Sequence, residues 1–165
     1  MVFGLSLSAF TLLHVAISLI GIVSGLIVMV GLLESRRMGN WTALFLLTTI
    51  LTSVTGLFFP VTHLLPSHII SIISLVLLAI AVIARYIRHL AGSWRWIYVV
   101  TAMIALYLNV FVLVIQSFLK IGPLHALAPS VPPSEPPFAV IQGIVLLLFV
   151  IATVAAVRKF DRVAR

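Results

Sequence analysis

The sequence contains no cysteine. Disulfides, thiolate metal centres and thiol–disulfide exchange are therefore excluded. Charge is almost as scarce: Asp, Glu, Lys and Arg make up 8% of the chain, against about 25% in a soluble domain. Only three of those residues are acids, which leaves little for paired-carboxylate catalysis, and no GxSxG or HExxH pattern occurs. A soluble enzyme or a nucleic-acid-binding domain needs a polar surface that this composition cannot supply. Neither nucleic acid as a partner nor a catalytic centre of the chain's own is expected.

What the chain has instead is apolar length. Hydrophobic residues make up 63% of its 165 positions, with a mean hydropathy of +1.34. Spanning a bilayer core takes about 20 helical residues. Segments near 7–33, 41–62, 67–89, 94–119 and 138–158 meet that requirement. In lipid, a segment of this length satisfies its backbone only as a helix. The expectation is one all-α integral membrane domain over 1–165, a bundle of five transmembrane helices. Residues 120–137 hold six of the eight prolines, so this connection is expected to run extended and non-helical. No basic n-region precedes the first apolar run, so a cleavable leader is not expected.

Nine of the ten basic residues fall in the first loop, around the third loop or after the last span; Lys120 alone lies at the other end. The positive-inside rule puts the nine on the cytoplasmic side, the N-terminus outside and the C-terminus inside. Trp41, Trp94 and Trp96 fall at the same predicted interface, where aromatic belts form.

Polar and small residues recur at three- and four-residue spacing, which keeps them on one helix face. Helix 1 carries Thr11, His14, Ser18, Gly21 and Gly25, the last two a GxxxG step. Helix 2 carries Thr49, Ser53 and Gly56 beside a row of Thr48, Thr52 and Thr55. Helix 3 carries Ser71, Ser74 and Ala81. Helix 4 carries Ala102, Ala105, Asn109, Val112 and Gln116, and the last helix Ala139, Gln142, Leu146, Phe149 and Thr153. The polar members concentrate in the half of the bundle away from the arginines. A site, if present, should open there, beneath the proline-rich connection.

His14, Asn109, Gln116 and Gln142 are the candidate ligand-binding residues on that account. His14 lies about 8 Å inside the span at 1.5 Å per residue, and an intramembrane ionisable group is by default a functional candidate. His63, His68, His125 and Glu135 form a candidate metal set of imidazoles with one carboxylate. Their spacing matches no zinc motif, and hydrated loop histidines explain them equally well. Which cofactor the chain carries, if any, stays open among a metal, a haem, a quinone and a lipid-like molecule.

Four stretches carry a resemblance. They are Thr52-Ser53-Val54-Thr55-Gly56-Leu57-Phe58-Phe59-Pro60, Trp94-Arg95-Trp96-Ile97-Tyr98-Val99, Ala105-Leu106-Tyr107-Leu108-Asn109-Val110-Phe111, and Ala126-Leu127-Ala128-Pro129 followed by Ser134-Glu135-Pro136-Pro137-Phe138. Together the chain resembles a group of small uncharacterised bacterial multi-pass inner-membrane proteins. The resemblance implies a bacterial inner-membrane location and no particular activity. It points to Asn109, Ser134 and Glu135 as residues such a group would share.

The leading expectation is a non-catalytic accessory or interaction subunit, packing through its small and polar faces against other membrane proteins or copies of itself in the lipid bilayer. The alternatives are an outward-facing binding or redox protein and, less well supported, a small transporter acting as a dimer.

Overall fold

The computed structural model describes Val2 and residues 4–60 and 66–162. The chain is an all-helical, multi-pass membrane protein, and among the described residues five helices are long and apolar enough to cross a bilayer. These are α1 (Leu7–Leu33), α2 (Gly39–Leu57), α3 (Pro66–Val82) continued by a π-helical turn (Ile83–Ile87), α4 (Trp94–Lys120) and α6 (Pro136–Arg162), with a short α5 (Gly122–Leu127) between the last two.

Helices α1 to α4 form a ring of sequential antiparallel neighbours, closed by contact between α1 and α4, and α6 lies outside against both of these. One end of the bundle carries the arginine-bearing connections, the other His14, His68 and the proline-rich segment. The apolar core fills the arginine half, where Phe45, Leu78, Tyr98, Val99, Ala102 and Leu106 are buried. The GxxxG step of α1 sits at this convergence. A Cβ at Gly25 would come within 2.5 Å of Leu106 and 2.8 Å of Phe45, and one at Gly21 within 3.2 Å of both Thr48 and Thr49. Hydrogen at these positions lets α1 approach α2 and α4 closely. Most hydroxyls along the helices donate back to their own turn, as in Ser24 Oγ to Ile20 O at 2.7 Å and Thr101 Oγ1 to Ile97 O at 2.8 Å. This satisfies them without a partner helix.

Four expectations need correction. Residues 120–137 are not wholly extended: Gly122–Leu127 is helical with Pro123 in its first turn. A proline is tolerated there because that N–H has no intrahelical acceptor in any case. The last helix begins earlier, at Pro136 and Pro137, for the same reason. The third span ends in a π turn rather than as α-helix, and the chain then passes through positive φ at His89 and Leu90 (49° and 58°) and at Gly92 (51°) before α4. Helix α2 stops at Leu57, before Pro60, since a residue preceding proline is disfavoured in α geometry.

On α6 the inward face is Gln142, Phe149, Ala156 and Phe160, and Leu146, expected on it, is 46% exposed. Only 6% of the span's most apolar window is buried, so almost all of this helix contacts the surroundings.

Candidate functional site

Among the described residues, the end opposite the arginines is not filled by side chains. A cavity of ≈ 590 Å³ lies between α1, α2, α3 and α4. Its walls follow the stripes. Helix α1 contributes Thr11, His14 and Ser18; α2 contributes Thr52, Ser53 and Gly56; α3 contributes His68, Ser71 and Ser74; α4 contributes Asn109, Gln116 and Lys120. Leu19, Ile22, Leu108 and Val112 supply apolar wall. No Asp or Glu lines it. Small side chains explain the space. At matching positions of the other half Phe45, Leu78 and Leu106 meet in the centre, whereas here serine, threonine and glycine leave the axis open.

His14 is the best-defined group. Its Nδ1 is 2.8 Å from Thr55 Oγ1. The Thr55 hydroxyl carries one proton, directed to the Leu51 carbonyl at 2.7 Å, so its oxygen accepts from His14. With the Thr55 hydroxyl donating to Leu51, the neutral ring bears hydrogen on Nδ1 and presents Nε2 as an acceptor. The Phe59 ring, edge-on at 5.1 Å, holds the imidazole against α2. Asn109 donates through Nδ2 to Thr49 Oγ1 at 3.5 Å, a long contact that anchors the amide weakly. Lys120 stands at the rim, exposed.

Of the candidate ligand-binding residues, His14, Asn109 and Gln116 share this cavity. Gln142 does not. Its Nε2 donates to the Phe111 carbonyl at 3.1 Å, on the seam between α4 and α6, because α6 lies outside the four-helix ring.

The metal candidates are dispersed. His68 is in the cavity wall, 4% exposed. His125 is on α5, and His63 lies outside the described residues. Glu135 closes the proline-rich connection: one carboxylate oxygen accepts from the Ser130 N–H at 3.0 Å and from the Ser130 hydroxyl, and the other accepts from the Ser134 N–H at 3.0 Å. Among the described residues no three His, Asp or Glu side chains are placed to hold one metal ion. Lys120 was not legible as a site residue, although its isolation from every other basic residue was a signal.

Glu135 yields a pH prediction. The Ser130 hydroxyl, followed by the Ser134 and Ser130 N–H groups, holds its pKa at about 2. A depressed carboxyl pKa means that the folded connection favours the ionised form. The resulting stabilisation is present above the ordinary carboxyl pKa and is lost as pH falls through about 2. Amide exchange at Ser130 and Ser134 should stay slow down to pH about 3, and Glu135→Gln should accelerate it at neutral pH. Unchanged exchange in the variant would show that the carboxylate does not close the loop.

A second prediction separates the two histidines. His14→Lys should lower accumulation of the protein in membranes far more than His125→Lys. The first puts an ammonium in place of a neutral ring packed between Thr55 and Phe59, the second into a segment beyond the spans. Equal tolerance would place His14 against lipid near the interface, or in water.

Compared with known proteins, the chain matches no family model, no curated protein and no solved structure.

Proposed function

We propose that this protein is a non-catalytic membrane binding protein. It holds a small amphipathic molecule in the cavity enclosed by α1–α4, in a bacterial inner membrane, with that cavity facing outward, the N-terminus outside and the C-terminus cytoplasmic. The observation that carries this reading is the cavity's lining. Four helices each turn polar groups onto one space of ≈ 590 Å³ within the bilayer-spanning part of the fold. Thr11, Ser18 and Thr52 donate within their own helices, so the groups left to meet a guest are their spare acceptor lone pairs together with His14, Asn109, Gln116 and Lys120. The bare His14 Nε2 accepts a hydrogen bond, Asn109, Gln116 and Lys120 can donate, and Leu19, Ile22 and Val112 receive apolar surface. The orientation rests on the asymmetry of the basic residues, and the location on the resemblance described above.

Native mass spectrometry of the protein extracted gently from its own membrane tests this. A species heavier than the 18.0 kDa chain by one organic molecule is the expected result. A bare chain at full occupancy would overturn the binding reading. A reporter active only in the periplasm, fused to the C-terminus, should give no signal; signal would reverse the orientation.

The accessory-subunit reading rests on one different observation, the span of α6 that is only 6% buried. A second polypeptide co-purifying in fixed stoichiometry, and lost on placing Trp at Ile144 or Leu148 of the exposed face, would favour it.

A further inference from the structure

The arginine-rich end holds a feature that membrane orientation alone does not require. Arg85 lies in the π turn, and its guanidinium carbon sits 5.4 Å from the centre of the Tyr98 ring and 5.8 Å from that of Tyr86. Arg88 follows at the end of that turn, 5.0 Å over the Trp94 ring. Aromatic faces hold a guanidinium in place without neutralising it, and leave its N–H groups free to donate. Glu34 pairs with Arg36 at 3.2 Å and Glu135 is held by Ser130 and Ser134, so neither of these carboxylates neutralises Arg85 or Arg88.

The backbone here is irregular in the same place. A π turn widens the helix where Arg85 meets Tyr98, and π turns recur at functional sites. His89 and Leu90 then adopt left-handed conformations that cost energy for residues with a Cβ. Beneath Arg85 the Tyr98 side chain is fully buried, with the Thr42 and Arg85 side chains beside its hydroxyl. The exposed Trp96 and Trp41, at 49% and 42%, mark the same level of the bundle, where indole rings sit among lipid headgroups.

We propose that the turn between α3 and α4 binds the phosphodiester of an anionic lipid headgroup, with Arg85 and Arg88 as its forked donors and Trp94 as the platform that orients Arg88. Basic pockets between spans at the membrane surface recognise such headgroups. A guanidinium matches two phosphate oxygens at once. This site is separate from the cavity at the other end and does not depend on its having a ligand.

The test uses the full-length protein in nanodiscs of phosphatidylcholine containing a graded fraction of phosphatidylglycerol, with retained lipid read by native mass spectrometry. The wild type should retain phosphatidylglycerol over phosphatidylcholine by about tenfold. The double variant Arg85→Gln/Arg88→Gln should lose that preference, and Arg36→Gln/Arg37→Gln should keep it. Loss of similar size in both variants, or in neither, would overturn the site. Should the glutamine variant fail to fold, Arg85→Lys/Arg88→Lys keeps the charge and loses the fork. It should drop the preference several-fold, and full retention would overturn the forked contact. Inorganic phosphate at millimolar concentration should not displace the retained lipid; displacement would reassign the turn to a free anion.

Discussion

Gly25→Val should abolish the monodisperse folded protein in mild detergent, while Gly143→Val should leave it intact. The two glycines lie in membrane-spanning helices, so intrinsic helix preference predicts much the same outcome at both. The surroundings differ. A Cβ at Gly25 would stand 2.5 Å from Leu106 Cδ1 and 2.8 and 2.9 Å from two atoms of the Phe45 ring, whereas at Gly143 nothing lies within 4 Å. Replacing glycine by alanine within a helix gains about 1 kcal/mol of propensity. Overpacking a tight core costs about 1–3 kcal/mol for added methylenes, and sometimes more. At Gly25 the second effect wins, because Leu106 and Phe45 are themselves buried at 1% exposure and have little room to retreat. Alanine there should lower the melting temperature, and valine, with two further methyl groups, should eliminate the cooperative transition. Shortening the obstructing side chain should restore part of the loss, so Gly25→Ala/Leu106→Ala should melt above Gly25→Ala. A stable Gly25→Val protein would mean that α1 does not pack against α2 and α4 at this point.

Val112→Phe should remove the bound molecule and spare the fold. Val112 is half-buried in the cavity wall on α4. The added ring has room within ≈ 590 Å³, so the overpacking penalty that governs Gly25 does not apply. Filling apolar void gains dispersion contacts, and the melting temperature should hold or rise by a few degrees. Occupancy in native mass spectrometry should fall at least tenfold, which corresponds to about 1.4 kcal/mol. A ligand retained at full occupancy would place it elsewhere on the protein. Lost occupancy with a collapsed melting temperature would show that the space is packed in the native bundle.

Gly25 and Val112 also mark where sequence pattern stops. The stripe containing Gly21 and Gly25 was legible as a close-packing face, since small residues four apart do little else in a membrane helix. Which helices it would meet was not, because any neighbouring span can serve as partner. Val112 falls on the α4 stripe with Asn109 and Gln116 by its spacing, but an aliphatic residue there reads the same whether the stripe packs against core or lines a cavity. Gln142 has the polar character of Asn109 and Gln116, yet it belongs to α6 and bonds the Phe111 carbonyl outside the cavity. The α5 helix was missed because proline density suggested extended chain, although proline opposes helix only beyond the first turn. His14 was singled out by its depth alone. The direction of its lone pair follows from the Thr55–Leu51 hydrogen bond, a tertiary fact.

By itself the sequence determined the number of spans, the helical class and the partition of basic from polar ends. Each of these follows from the cost of exposing charge or backbone to hydrocarbon, and that cost is local to a segment. Only the tertiary structure decided that α1–α4 enclose the polar stripes while α6 stays outside, that the four stripes face a single cavity, and that a π turn sets Arg85 over Tyr98. Those outcomes depend on which helix packs against which. Between apolar helices in lipid that choice is made by side-chain fit across contacts far apart in the chain.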